Sequence, residues 1–169
     1  MVLVRDAESR DIGRLAVLHV AAWQKAFRGI ITDEVLDTLS IAEFEAIWNQ
    51  SLKMQARVNL AACVSGRVVG FIAVGPKRVD GPVSSEQAEV YGIYVDPVDW
   101  GKGAGRELMA QGMLRLRAQG FNYASLWVMS GNSAARGFYD SMGFLANGAK
   151  RTSERYGCRF EELEYSSPL

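Results

Sequence analysis

The sequence predicts a single α/β domain, and three observations carry that reading. Its 169 residues fit one domain at roughly 100–200 residues apiece. Apolar residues recur at helical spacing in two long stretches, Ile12–Trp23 and Leu108–Leu116. Between and beyond these stretches lie short β-prone runs, two of them joined by the turn dipeptide Ser65-Gly66.

Taken in order, Val2–Val4 reads as a first strand. Ile12, Leu15, Ala16, His19, Val20 and Trp23 then form the stripe of an amphipathic helix, with Asp11 as its cap. His19 lies on that stripe, which makes it a packed core histidine. A turn at Arg28–Ile31 leads to Thr32, a cap for a second helical region holding Val35, Leu36 and Leu39. Ala42–Leu52 continues helically with Phe44, Ile47 and Trp48 on one side. Arg57–Val64 and Arg67–Val74 read as a β-hairpin, and Pro76–Gln87, with Gly81-Pro82 inside it, as a polar loop. Ala88–Val95 is a strong strand ended by Asp96-Pro97. The helical stripe Leu108, Met109, Gly112, Met113 and Leu116 stops near Gly120. Tyr123–Val128 reads as a strand and Ser133–Met142 as a helix ended by Gly143. The tail offers two more strands, around Phe144 and over Phe160–Tyr165.

Composition excludes several functions. With 19 basic against 19 acidic side chains the formal charge is zero, and a chain without excess Lys and Arg is a poor partner for nucleic acid. Cys63 and Cys158 form no metal-spaced pair, and His19 is alone, so no His/Cys metal site is expected. A hydrolase triad would have to use His19, which the apolar stripe already claims. A core of this size does not require a disulfide. The first ten residues acquire acids at once, so no signal peptide is read. No apolar run approaches the about 20 residues of a membrane span. The expectation is a reduced, cytoplasmic protein with no membrane partner.

The chemistry gathers at Ala88–Gly105. A strand runs into Asp96-Pro97, Gly101, Gly103 and Gly105 follow within a short stretch, and a helix begins there. Glycines let backbone N–H groups turn to a common point, and the first helical turn adds unpaired donors and partial positive charge. Such a turn binds phosphate or pyrophosphate. A nucleoside-triphosphate loop would need Ser or Thr after its lysine, yet Lys102 sits between glycines and Ala104 follows. A dinucleotide fold would need an early βαβ unit and an acid about 20 residues on, where Gln119-Gly120 stands.

The segment AEVYGIYVDPVDWGKGAG, Ala88–Gly105, resembles the central motif of the GNAT superfamily of N-acetyltransferases. A second stretch, from Asn132 through Ala135, Phe138 and Tyr139 to Gly143-Phe144, resembles that family's Asn…Ala…Tyr…Gly-Phe run. Together they cover residues 88–148, in the family's order and separation. Trp23, Phe27 and Gly29 resemble its bacterial members more loosely. The resemblance implies a mixed, mostly antiparallel sheet with a splayed central strand pair, flanked by helices. It also implies a cofactor core at 88–148 and N-terminal helices, 9–52, that form the acceptor lip.

By the same resemblance, acetyl-coenzyme A binds as cosubstrate and its acetyl group passes to a primary amine by direct attack, with no metal. Its pyrophosphate would lie on Gly101, Lys102, Gly103, Ala104, Gly105 and Arg106. Its pantetheine arm would pair with the backbone of Ile93, Tyr94 and Val95, and Asn132, Ala135, Phe138 and Tyr139 would contact it further. Trp100 stands where the family's turn usually opens with Arg or Gln; it either alters these contacts or caps the turn by packing. Gly92 either marks a bulge that opens the cleft or is spared by crowding in a packed sheet.

An ammonium must lose a proton before it attacks. Glu89 matches the position of the family's carboxylate base, with Tyr91 in reserve; otherwise Glu89 is an exposed strand-end charge. Tyr139 matches the tyrosine that protonates the leaving thiolate, or else simply packs. Asn132 caps its helix. Gly29–Leu52 holds Asp33, Glu34, Asp37, Glu43 and Glu45 and no Lys or Arg, which is either an acidic lip favouring a cationic acceptor or a solvated helix face. Lys102, Arg106, Arg115 and Arg117 against Glu107 suit a polyanionic cofactor, or an ordinary exposed helix. The acceptor reads as a small-molecule amine, with a protein α-amine or lysine as the alternative. A coenzyme A-sensing module without catalysis and a plain interaction protein are the remaining classes. Homodimerisation stays open, because no strand edge or apolar patch can be placed from sequence.

Overall fold

A computed structural model describes residues 1–78 and 86–169, so Gly81-Pro82 of the expected polar loop lies outside the described residues. Seven strands form one sheet in the order β1-β2-β3-β4-β5-β7-β6. They are β1 (Val2–Asp6), β2 (Val58–Val64), β3 (Arg67–Pro76), β4 (Gln87–Val95), β5 (Tyr123–Met129), β6 (Leu145–Arg155) and β7 (Cys158–Pro168). Neighbours run antiparallel except β4 and β5, which are parallel.

That parallel pair is short. Gln87, Ala88 and Glu89 pair with Tyr123, Ala124 and Ser125; beyond Glu89 the strands part, although β4 continues to Val95 and β5 to Met129. The sheet is therefore open through the second half of both strands, as the resemblance implied. On the other side of β4, Ala73 faces Gly92 while Val74 faces Val90, which leaves Tyr91 as the extra residue of a bulge. A bulge bends its strand and increases its twist, and Gly92 next to it marks the bend expected from sequence.

Two apolar clusters sit on opposite faces of the sheet. One packs α4 (Ala104–Ala118) and α5 (Ser133–Ser141) through Leu108, Met109, Leu116 and Tyr139 onto Leu60, Ile72 and Val90. The other packs α1 (Ile12–Ala26), α2 (Asp33–Asp37) and α3 (Ile41–Ser51) through Leu15, Leu36, Phe44 and Trp48 onto Ala61 and Phe71. Alternation along β2, with Leu60 and Ala62 on one cluster and Ala61 and Cys63 on the other, is the period-2 signature of a strand buried on both faces. Among the described residues, no helix is long and apolar enough to cross a membrane.

Several local expectations change. Asp11 precedes α1, but its carboxylate turns back to accept from Glu8 N–H at 2.8 Å and from Arg5, a stronger charge-assisted partner than a helix N–H. Thr32 stands at the start of α2 without a side-chain cap bond, whereas Ser40 caps α3 through Glu43 N–H at 3.4 Å. Ile47 is 49% exposed, because α3 rests on the sheet through Phe44, Trp48 and Ser51. The tail strands are longer than expected, and Phe144 lies just before β6 instead of within it. Ser65 and Gly66, with φ of 50° and 80°, form the predicted hairpin turn.

Candidate active site

The turn after β4 is stapled to the rest of the fold by charge. Asp96 accepts from Val98 N–H at 3.2 Å and pairs with Arg14 of α1; Asp99 pairs with Arg67 of β3 at 2.7 Å. Chain direction then reverses through Gly101 and Gly103, whose φ values of 76° and 91° lie where a Cβ is strained. Helix α4 makes its first backbone bond from Glu107 N–H to the Gly103 carbonyl at 3.1 Å. The N–H groups from Gly101 to Arg106 therefore have no backbone acceptor among the described residues. Consecutive free donors at a helix start are what a phosphate requires.

A cavity of about 660 Å³ begins at this turn and passes through the opening between β4 and β5 to the face covered by α1. It brings together every residue the sequence assigned to the site except Lys102. The Lys102 ammonium is tied back to the Val98 carbonyl at 2.8 Å and to Asp99 at 3.2 Å, so backbone and not side-chain charge defines the cradle. Trp100 is 43% exposed, and its indole Nε1 donates to the Val95 carbonyl at 2.7 Å. It closes the turn by a hydrogen bond, and it occupies a carbonyl that the sequence reading left to the pantetheine arm. Asn132 caps α5 by accepting from Ala135 N–H at 3.1 Å, as expected.

Where the strands part, Tyr139 of α5 reaches the cavity from a buried position, and burial pushes its hydroxyl pKa above the ordinary 10. Burial acts on Tyr94 in the same direction. Both phenols stay protonated at neutral pH and can donate.

Glu89 lies at the fork itself and is buried, not an exposed strand end. Its two oxygens accept from Arg78 N–H at 3.0 Å, Nε at 3.1 Å and Nη2 at 2.5 Å. Tyr91 is locked by its hydroxyl, which donates to the Pro76 carbonyl at 2.5 Å, and by Arg57 and Arg78 stacked on its ring at 4.4 and 4.7 Å.

Sequence reasoning missed two members of the cavity wall. Glu162 of β7 is buried; its Oε2 accepts from Arg151 Nε and Ser153 Oγ, each at 2.6 Å, while Oε1 has no partner among the described residues. Arg155 ends β6 at the cavity mouth. Nothing local signals either residue, since both reach the cavity only through the pairing of β7 with β5 and β6. The N-terminal region contributes Trp23 and Lys25 of α1 and also Phe27, but none of its five acids lines the cavity. Arg28 pairs with Asp33 at 2.9 Å and with Asp37. Of the basic residues on α4, Arg106 reaches the cavity and Arg115 is spent on Asp6 at 3.1 Å.

Fold and site together set a turn of free backbone donors at one end of a cavity that crosses a split sheet to the face under α1. The family model "Acetyltransferase (GNAT) family" matches residues 21–144. An uncharacterised N-acetyltransferase of Bacillus subtilis, YuaI, is 36% identical over 133 residues, 78% of this chain and 74% of that protein. Among solved structures, a ribosomal-protein-alanine N-acetyltransferase from Brucella melitensis superposes with TM-score 0.79 at 23% identity, over 99% of both chains. The putative acetyltransferase yncA from Salmonella typhimurium, solved with acetyl-CoA, gives 0.76 at 22% identity, over 100% of this chain and 94% of that one. The chain belongs to the GNAT family of N-acetyltransferases and is an acyltransferase of that type.

Proposed function

We propose that this protein transfers the acetyl group of acetyl-coenzyme A to the primary amine of a small molecule, both reactants being bound at once. The observation that carries this reading is the continuous cavity that runs from the free N–H groups of Gly101–Arg106 to buried carboxylates on the opposite face of the sheet. The N–H groups of Gly101–Arg106 fit the pyrophosphate, and the edge of β4 at Ile93 and Tyr94, short of the Val95 carbonyl that Trp100 holds, fits an extended arm added like a strand. Acetyl-coenzyme A supplies the activated acetyl thioester. The chain's own groups hold the reactants in line and move the protons.

Tyr139, kept neutral by burial, gives its proton to the departing sulfur. The amine's proton passes to Glu89, which must exchange one of its Arg78 donors for the substrate. A second reading gives that step to Glu162, favoured by its open Oε1. The free thiols of Cys63 and Cys158 suit a reducing compartment such as the cytoplasm.

The test is thermal melting with acetyl-coenzyme A, against ATP and NAD as controls. At about 100 times the dissociation constant, binding adds about 2.7 kcal/mol, a shift of roughly 5–10 °C at this chain length. Tyr139→Phe should keep that shift and lower kcat by about 100-fold or more. An absent shift overturns the cofactor assignment; full turnover in Tyr139→Phe removes the acid.

A further inference from the structure

The charges at the acceptor end of the cavity do not fit a simple cation. Arg78 is matched by Glu89 and Arg151 by Glu162. Arg155 lines the same wall and has no carboxylate partner among the described residues. It is the last paired residue of β6, opposite Cys158, and the two-residue turn between them places Tyr156 and Gly157 at φ of 51° and 74°. A turn of this hand matches the strand twist, so it presents the guanidinium from a fixed base and not from a long loop. That guanidinium sits over the Trp23 ring at 5.8 Å, and its charge acts on both Tyr94 and His19. Lys25, on the same wall, also lacks an acidic partner among the described residues. The acids that would have attracted a cation lie elsewhere, with Asp33 and Asp37 held by Arg28.

We propose that the acceptor carries a carboxylate or similar anion beside its amine, as a free α-amino acid does, and that Arg155 binds this anion. Glu89, or on the second reading Glu162 Oε1, then faces the amine, and the Trp23 and Phe27 rings face the acceptor's side chain. A planar guanidinium meets a carboxylate through two parallel N–H donors, which fixes orientation as well as position. A polyamine would instead place a second cation against Arg155. The inference rests on the transferase reading above and names the substrate class for that site.

The experiment compares free alanine, leucine, phenylalanine and glutamate with their α-amides, and with spermidine, by release of coenzyme A thiol. At neutral pH the amide's amine is the less protonated of each pair, so intrinsic reactivity favours the amide and a preference for the acid reports the site. The expected result is an acid-over-amide ratio in kcat/KM of about tenfold or more, falling to about one in Arg155→Ala through a KM for the acid raised roughly 10–100-fold. Arg155→Lys should recover part of the ratio, and the melting shift with acetyl-coenzyme A should not change in either variant. Preference for amides or spermidine, or equal losses on acid and amide, overturns the proposal. If no amine is acetylated although acetyl-coenzyme A binds, the transfer reading fails by itself. In that case an amino-acid-induced melting shift of the coenzyme A-saturated protein, lost in Arg155→Ala, upholds the anion site, and its absence overturns it.

Discussion

Between pH 7.5 and 5 the stability of this protein should report one partly buried side chain. His19 is the only histidine in the sequence, and it is wedged edge-on between Phe44 and Phe71 with ring centroids 4.6 and 4.8 Å away. Its Nδ1 is buried without a partner among the described residues. Burial, helped by the charge of Arg155, pulls its pKa from 6.5 down to about 3. In the unfolded chain the ring protonates near pH 6.5, while in the native state it stays neutral. The unfolded state thus binds more protons, and stability falls as pH drops through about 6.5.

At pH 5 the loss is about 2 kcal/mol, from roughly 1.5 pH units at about 1.36 kcal/mol each. Any native pKa below about 4 gives the same figure at that pH. Asp11, held below the ordinary carboxylate range by its hydrogen bonds from Arg5, stays ionised across this window and contributes only at lower pH. Urea midpoints at pH 7.5, 6.5, 5.5 and 5.0 test the point for the parent and for His19→Leu, which keeps an apolar side chain of similar size. The parent should lose about 2 kcal/mol across the series and the variant less than about 0.5 kcal/mol. A flat parent, or a variant with the parent's slope, refutes the reasoning.

Two glycines should respond to alanine with opposite signs. A Cβ at Gly103 meets nothing within 4 Å, but φ there is 91°, so Gly103→Ala costs only backbone strain, about 1–2 kcal/mol; melting should fall by roughly 2–8 °C and the shift with acetyl-coenzyme A should shrink. Gly137 in α5 is equally open without positive φ, so Gly137→Ala should stabilise by about 0.5–1 kcal/mol. Glu89→Gln should lower kcat by about 100-fold or more while the melting shift with acetyl-coenzyme A remains. If Glu162→Gln lowers kcat instead, and Glu89→Gln only lowers the melting temperature, the base is Glu162.

The turn of free backbone donors was legible because it is written locally. Free N–H groups follow from glycines at two positive-φ positions and from the start of a helix, all within Gly101–Arg106. The Asn132 cap and the Ser65-Gly66 turn are likewise set by residues a few positions apart. The bulge at Tyr91 was legible through Gly92, since a glycine weakens a strong strand and commonly sits where that strand bends. The Lys102 side chain is held by Asp99, which only the fold brings close enough, while its backbone N–H stays among the free donors. The acidic run takes the solvated-face reading in part because Arg28 stands just before the stretch Gly29–Leu52, and Gly29 at φ 81° lets the chain turn back on it.

The far end of the cavity was hidden for a structural reason. Strand β6 is a sheet edge with nearly every residue solvent-facing, so it shows no apolar alternation for a pattern to find. Its partner β7 buries Glu162 and Glu164 on one face, residue types that a pattern search sends to the surface. Each is tolerable only because the neighbouring chain delivers a cation, Arg151 from β6 for one and Lys77 from the end of β3 for the other. Register, not composition, therefore decides which charges at this end are neutralised and which remain open. A shift of one residue between β6 and β7 would send Arg151 to the other face of the sheet and leave Glu162 uncompensated. The same register leaves Arg155 at the mouth without a carboxylate partner among the described residues. The free backbone donors sit in a local turn, whereas the charges at the far end of the cavity come from cross-strand pairs, and pairs of that kind are fixed only when the whole sheet has formed.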